Sequence, residues 1–233
     1  MNLPEKKYRH ELKYVVSTTQ IFLLKNRIAN LMQKDPYAGD DGIYNIRSLY
    51  FDDYYNRCYY ENENGTDPRE KYRIRIYNHS LKKITLECKR KEHGKTLKTA
   101  CPLTLEQTER IIQGDLLTIP EANSPLLRKF LMEVLTRGMH PVVIVEYERI
   151  PFIYRNGNVR ITFDTQISSS SNVIDFLKDG IPKRPVMPMG QHLMEVKFDA
   201  YLPDIIYHNL NLNQLQQTAY SKYYLCRKYA LHK

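Results

Sequence analysis

Apolar and polar residues alternate with a period of two in several separated stretches of the chain, and elsewhere apolar residues recur every three or four positions. The first pattern puts successive side chains on opposite faces of a strand, and the second gathers apolar side chains on one stripe of a helix. The clearest alternation runs from Pro68 to Lys98, PREKYRIRIYNHSLKKITLECKRKEHGKTLK, which reads as two strands joined by a short polar turn. Lys71, Arg73 and Arg75 share one face, with Tyr72, Ile74 and Ile76 on the other; in the second strand Glu87, Lys89 and Lys91 alternate with Leu86 and Cys88. The same grammar returns in Tyr8 to Val16, where Arg9, Glu11 and Lys13 oppose Leu12 and Tyr14. It returns again in VRITFD, where Arg160, Thr162 and Asp164 oppose Val159, Ile161 and Phe163, and in LMEVKF, where Glu195 and Lys197 face together. The β-branched run PVVIVEYER carries Tyr147 and Arg149, and YNIRSLYFD, from Tyr44 to Asp52, reads as a further strand holding Arg47.

Helical signals lie between the strands. Ser17 with Gln20 forms a capping box before Ile21 to Met32, where Ile21, Leu24, Ile28 and Leu31 define an apolar stripe; Asp35, Pro36, Gly39 and Gly42 then end it in a loop. Tyr54 to Asn62 predicts a short tyrosine-rich helix or turn. Thr104 with Gln107 starts a helix that stops at Gly114, and Ser124 with Pro125 starts one that ends at Gly138. Asn156 to Asn158 makes a turn, SSSSN reads as a polar loop ahead of a Pro-rich passage from Ile181 to Pro188, and Pro203 to Tyr229 reads as helical segments. With no internal repeat and no long linker, residues 1–233 are expected to form one domain.

A charged face repeated on six strands has two explanations. If it points outward it is simply a wet surface. If it points into a lumen, each unpaired ion costs several kcal/mol, so the arrangement predicts an anionic ligand, and the few carboxylates among the cations suit a divalent metal. Helices that must dock their apolar stripes on the sheet's outside would leave the charged face inside. Periodicity leaves both arrangements open.

Composition narrows the partners. The 35 Lys and Arg exceed 26 Asp and Glu, for a formal charge of +9, which favours nucleic acid, acidic lipid or phosphate-rich small molecules. The 19 tyrosines permit base stacking, but the basic residues are spread over many strands and not gathered on one helix or arm. Cys58, Cys88, Cys101 and Cys226 have no zinc-binding or thiol-exchange spacing. Neither a signal peptide nor a bilayer-length apolar run is visible, so a soluble cytoplasmic protein is expected; no Walker A sequence supports P-loop chemistry.

In order along the chain, Arg9/Glu11/Lys13, SLYFDD (Ser48 to Asp53), the KYRIR strand, LECKRK followed by Lys98, Tyr147/Arg149, VRITFD, LMEVKF and SKY (Ser221 to Tyr223) resemble the CYTH, or triphosphate tunnel metalloenzyme, superfamily. Within it they resemble the VTC-type polyphosphate polymerase domain, in which the first acidic position of strand one is basic, as Arg9 is here. The resemblance implies an α+β fold: an eight-stranded antiparallel β-barrel, open as a tunnel, with helices packed outside. It implies that Lys13, Arg73, Arg75, Lys89, Lys98, Arg160 and Lys197 contact phosphate oxygens and that Lys91 and Arg149 join them in binding substrate. Ser221 with Lys222 would close the tunnel, and Glu195, then Glu11, would hold Mn²⁺ or Mg²⁺. Glu87 would join that metal or pair with neighbouring cations, and the second role is favoured.

The implied reaction transfers the γ-phosphoryl of ATP, or of another triphosphate, to polyphosphate; nucleic acid is not an expected partner, and a membrane partner is left room. Hydrolysis of a triphosphate in the same tunnel and polyanion binding without turnover are the alternatives, with Arg9 tilting the choice toward the polymerase. His10, opposite Glu11, reads as a packing or surface residue; Tyr54, Tyr55, Tyr59 and Tyr60 read as packing residues; Lys6/Lys7 and Lys82/Lys83 read as solvated, the second pair being also placed to guide an emerging anionic polymer.

Overall fold

A computed structural model of the chain describes residues 8–36, 38–39, 41–115 and 124–231. Its strands are β1 (His10–Ser17), β2 (Gln33–Lys34), β3 (Tyr44–Asp52), β4 (Arg69–Tyr77), β5 (Ser80–Glu92), β6 (Lys95–Leu103), β7 (His140–Tyr154), β8 (Val159–Ser170), β9 (Arg184–Pro185) and β10 (Gln191–Phe198). The helices are α1 (Thr18–Ile28), α2 (Arg57–Glu63), α3 (Leu105–Gln113), α4 (Pro125–Arg137), α5 (Asp204–Asn209) and α6 (Lys222–Leu231). Eight long strands form one antiparallel sheet in the order β1-β10-β8-β7-β3-β4-β5-β6, while β2 adds to β7 and β9 to β8.

The sheet curls until its two ends touch. Arg9 and Thr96 exchange both backbone hydrogen bonds at 2.9 Å, and the Lys89 ammonium reaches across from β5 to Glu11 on β1 at 2.5 Å. The charged face therefore lies inside the curl, which resolves the choice that alternation left open.

The apolar core correspondingly lies outside the curl, under the helices. Tyr14 and Val16 of β1, Ile161 and Phe163 of β8, and Met194 and Val196 of β10 pack against Ile21, Leu24 and Ile28 of α1 and Ile206 of α5. On the other half, Tyr72 and Ile74 of β4 and Leu86 of β5 meet Leu127 and Phe130 of α4 and Ile111 of α3. A helix can bury only one stripe, so each docks where alternation has left the sheet dry. Ser17 and Thr104 cap α1 and α3 through the expected boxes with Gln20 and Gln107, and Gly138 ends α4 with φ of 64°.

Two local expectations are corrected. The serine run does not form a loop: Ser168, Ser169 and Ser170 belong to β8 and are buried, because β8 continues pairing with β7 through Ser170↔Ile144. Tyr54 and Tyr55 do not pack inside; they are 75% and 81% exposed, whereas Tyr59 is buried. Lys82 and Lys83 are exposed as expected, Lys83 at the edge of a cavity, and Lys6/Lys7 lie outside the described residues.

Candidate functional site

The concave face of the sheet holds a cavity of about 380 Å³. Ten of its lining side chains are Lys or Arg and two are Glu. β4 contributes Arg69, Lys71, Arg73 and Arg75, β5 contributes Lys89 and Lys91, β1 contributes Glu11 and Lys13, and β10 contributes Glu195 and Lys197. β7 supplies Tyr147 and Arg149, and Ser221 and Lys222 enter from the start of α6. Two-residue alternation carries each set to one face, and antiparallel register stacks the sets side by side: Glu11 faces Lys197, and Lys13 faces Glu195.

The arginines are held rigidly. Arg149 donates Nε and Nη2 to Asp164 at 2.6 and 2.7 Å, and Lys222 meets the same carboxylate at 2.5 Å. Arg73 donates Nε to Glu87 at 2.8 Å and Nη1 to the Tyr50 hydroxyl at 2.8 Å. Arg75 donates Nε to Ser48 at 3.0 Å and Nη2 toward Tyr147 at 3.4 Å. Glu87 therefore pairs with its neighbouring cations, as favoured. Burial alone would raise the Tyr50 phenol, but Arg73, Arg75 and Lys222 outweigh it and pull it below the usual value.

Several lysines are less well compensated. Lys71 donates to Asn62 Oδ1 at 2.6 Å and Ser221 Oγ at 3.4 Å, and its ammonium lies 5.1 Å from the Tyr223 ring centre. Burial, with Arg69, Lys13 and Lys89 nearby, pushes Lys71 down to about 7. Lys13 bonds to the carbonyl of Tyr220 at 3.0 Å and is pushed down to about 8 by burial and Lys89. Lys197, between Glu195 at 3.3 Å and Glu11 at 3.8 Å, also falls to about 8, burial outweighing both carboxylates. Burial is the leading cause at all three lysines, and the excess of positive charge is set by the lining itself, ten cations against two carboxylates.

Glu11 and Glu195 face this cavity with depressed pKa values. Burial opposes ionisation at both, but Lys89 and Lys197 dominate at Glu11, and Lys197, Lys89 and Lys222 dominate at Glu195. Among the described residues no three His, Cys, Asp or Glu side chains are grouped to hold a metal ion. Two carboxylates still fit a magnesium-like ion, which takes one or two protein carboxylates and completes its shell with water and substrate phosphate oxygens. The shared lysine Lys197 marks the space between Glu11 and Glu195 as one that already attracts a cation.

Lys98 and Arg160 are not in this chamber. They line a second cavity of about 580 Å³ on the same concave face, with Asp35, Tyr44, Tyr77, Lys83 and Glu87. Arg160 donates to Asp35 at 2.6 Å and to the Tyr44 hydroxyl at 2.7 Å, and Lys98 meets Glu87 at 3.1 Å. The reason is distance along the strand: Lys98 is two positions beyond Thr96 on β6, and pairs opposite Lys89 while pointing past it toward Glu87. The other predicted residues, Lys13, Arg73, Arg75, Lys89, Lys91, Arg149, Lys197, Ser221, Lys222, Glu11 and Glu195, come together in the first cavity. The resemblance assigned no role to Lys71 or Arg69, although Lys71 already lies on the charged face and alternation puts both in phase with Arg73. It also missed Tyr50 and Asn62, for which only the fold gives a signal. His10 stacks on Phe198 with ring centres 5.0 Å apart, as its opposite-face position required.

The VTC domain family matches residues 8–231 of the chain. No curated protein matches it in sequence. Among solved structures it is similar to HpAC1 from Hippeastrum, described as having a dominant triphosphatase activity, at a TM-score of 0.52 and 13% identity over 95% of each chain. It is also similar to the PH1819 protein from Pyrococcus horikoshii OT3, at a TM-score of 0.49 and 14% identity over 95% of this chain and 99% of that one. Among the described residues no helix is long and apolar enough to cross a membrane.

Proposed function

The chain belongs to the VTC domain family, and we propose that it is a metal-dependent polyphosphate polymerase that moves the γ-phosphoryl of ATP onto the end of a polyphosphate chain and releases ADP. The observation that carries this reading is the cavity with ten Lys and Arg side chains against two carboxylates. Such a wall is under-neutralised until a polyanion enters, and a triphosphate brings the missing charge in one molecule.

Phosphoryl transfer asks the protein for position and charge more than for covalent chemistry. A terminal oxygen of the acceptor polyphosphate attacks the γ-phosphorus, the bond to the β–γ bridging oxygen breaks, and ADP carries away the electron pair. The acceptor is already an anionic oxygen, so no side-chain nucleophile is needed. Arg73, Arg75 and Arg149, fixed by Tyr50, Ser48 and Asp164, would stabilise the charge spreading over the transferred group. Lys13, Lys89 and Lys197 would hold the flanking phosphates, and Lys71, Lys91, Ser221 and Lys222 would line the way in. Glu11 and Glu195 would hold Mn²⁺ or Mg²⁺, which when bound neutralises and aligns the triphosphate oxygens.

Hydrolysis is the competing reading, with water as acceptor. Glu11, at the cavity wall on β1, is the group that favours it, since a carboxylate there can orient a water. The test is incubation of the purified protein with ATP, Mn²⁺ and a short polyphosphate primer, with products resolved by gel and phosphorus NMR and Glu195→Ala as control. Polymer that lengthens with matching ADP release, lost in the variant, supports the polymerase. Free phosphate without polymer supports the hydrolase. Tight triphosphate binding without turnover leaves only a binding module.

A further inference from the structure

Glu87 sits between the two cavities of the concave face. Its carboxylate lines the second, while Arg73 and Arg75, which grip it, line the first. Arg73 donates Nε at 2.8 Å and Nη2 at 2.6 Å to one oxygen, and Arg75 Nη1 stands 3.7 Å from the same atom. Lys98 reaches the other oxygen from the far side at 3.1 Å. Glu87 is 2% exposed, so these cations are its environment. Burial opposes its charge, yet Arg73, Arg75 and Lys98 hold its carboxyl far below the ordinary range.

This arrangement fills the side of the Arg73 guanidinium that would grip a phosphate with two parallel bonds. The Nε and Nη2 groups are spent on Glu87, and Nη1 is already on the Tyr50 hydroxyl. An anion arriving at Arg73 from the first cavity meets a second anion across one guanidinium, inside a wall with little water to screen them. Lys98 gives the carboxylate somewhere else to go, because its side chain is 51% exposed and already touches the opposite oxygen.

We propose that Glu87 is an internal counter-anion, displaced from Arg73 toward Lys98 when a substrate phosphate binds. The inference rests on the first cavity being a triphosphate site, and it names how that site is regulated. The ligand-free protein keeps Arg73 neutralised, and only an anion that outcompetes a carboxylate takes its place. Glu87 is thus a specificity-determining residue that acts through Arg73.

The test is calorimetric titration of tripolyphosphate into the unmodified protein and into Glu87→Gln at one salt concentration. Gln keeps the shape and an acceptor for Arg73 but removes the charge, so affinity should rise by at least about tenfold. A mere brace for Arg73 predicts unchanged or weaker binding, and either result overturns the proposal. No binding by the unmodified protein instead overturns the triphosphate reading itself. A structure of the unmodified protein with tripolyphosphate decides the matter even where the variant does not fold. Arg73 should then grip phosphate, with Glu87 on Lys98; an intact Arg73–Glu87 pair overturns the proposal.

Discussion

Triphosphate binding should take up protons, and Lys71→Met should remove close to one of them. In the free protein Lys71 lies at about 7 and Lys13 and Lys197 at about 8. At pH 8 the first is therefore about nine-tenths neutral and each of the other two about half, a shortfall of about two protons; at pH 6 it is about 0.1. A bound polyanion stabilises the ammonium form and raises all three values, so the missing protons enter with the ligand. The sign follows: affinity falls as pH rises from 7 to 9, by up to about tenfold per pH unit for each proton taken up. Calorimetry of tripolyphosphate binding in buffers of different ionisation enthalpy reads the proton number as a slope. The ligand's own protons cancel in the comparison with Lys71→Met, which should show about 0.9 fewer protons taken up at pH 8 and about 0.1 fewer at pH 6. A difference below about 0.3 at pH 8 refutes the reasoning, because it would mean that Lys71 is already charged in the empty cavity.

Other outcomes follow from the same geometry. Without ligand, thermal stability should rise between pH 7 and 9, since the three lysines bind fewer protons folded than unfolded, where their pKa is about 10.4; added tripolyphosphate should flatten the curve in differential scanning calorimetry. Lys89→Ala should weaken tripolyphosphate binding by about tenfold or more, the loss of one charge-assisted contact, whereas Arg160→Ala, paired with Asp35 and Tyr44 in the other cavity, should change it by less than about threefold; equal effects in titration would refute the division into two cavities. On the outer face, Arg47 is 1% exposed and pairs with Glu146 at 2.6 Å. Arg47→Met leaves Glu146 with Lys183 as its remaining cation and takes the donor from the carbonyls of Phe176 and Lys178, which should cost about 1–3 kcal/mol in urea unfolding, with tripolyphosphate affinity of the folded fraction unchanged.

How much of this was legible differs from residue to residue. Lys71, Arg73 and Arg75 announce a common face because a strand's side-chain period is two, and Ser17 with Gln20 announces a helix start because the donors there need acceptors. The serine run misled because polar composition was read as a loop, while β8 simply keeps its partner β7 through those residues. Lys98 and Arg160 matched by order along the chain, but position along a strand decides which end of the concave face a side chain reaches, and both reach the far end.

The sequence by itself determined the alternation, the helix caps, the excess of cations and the family, since each depends on residues near one another in the chain or on their order. Only the tertiary structure decided that the charged face is concave, because that needs Arg9 to meet Thr96 and the sheet to close. It alone placed Asn62 and Tyr50 beside the cations, Lys71 against Ser221, and Glu87 between the two cavities. Those contacts join residues up to 150 positions apart, as Lys71 and Ser221 are, and no local pattern encodes such a distance.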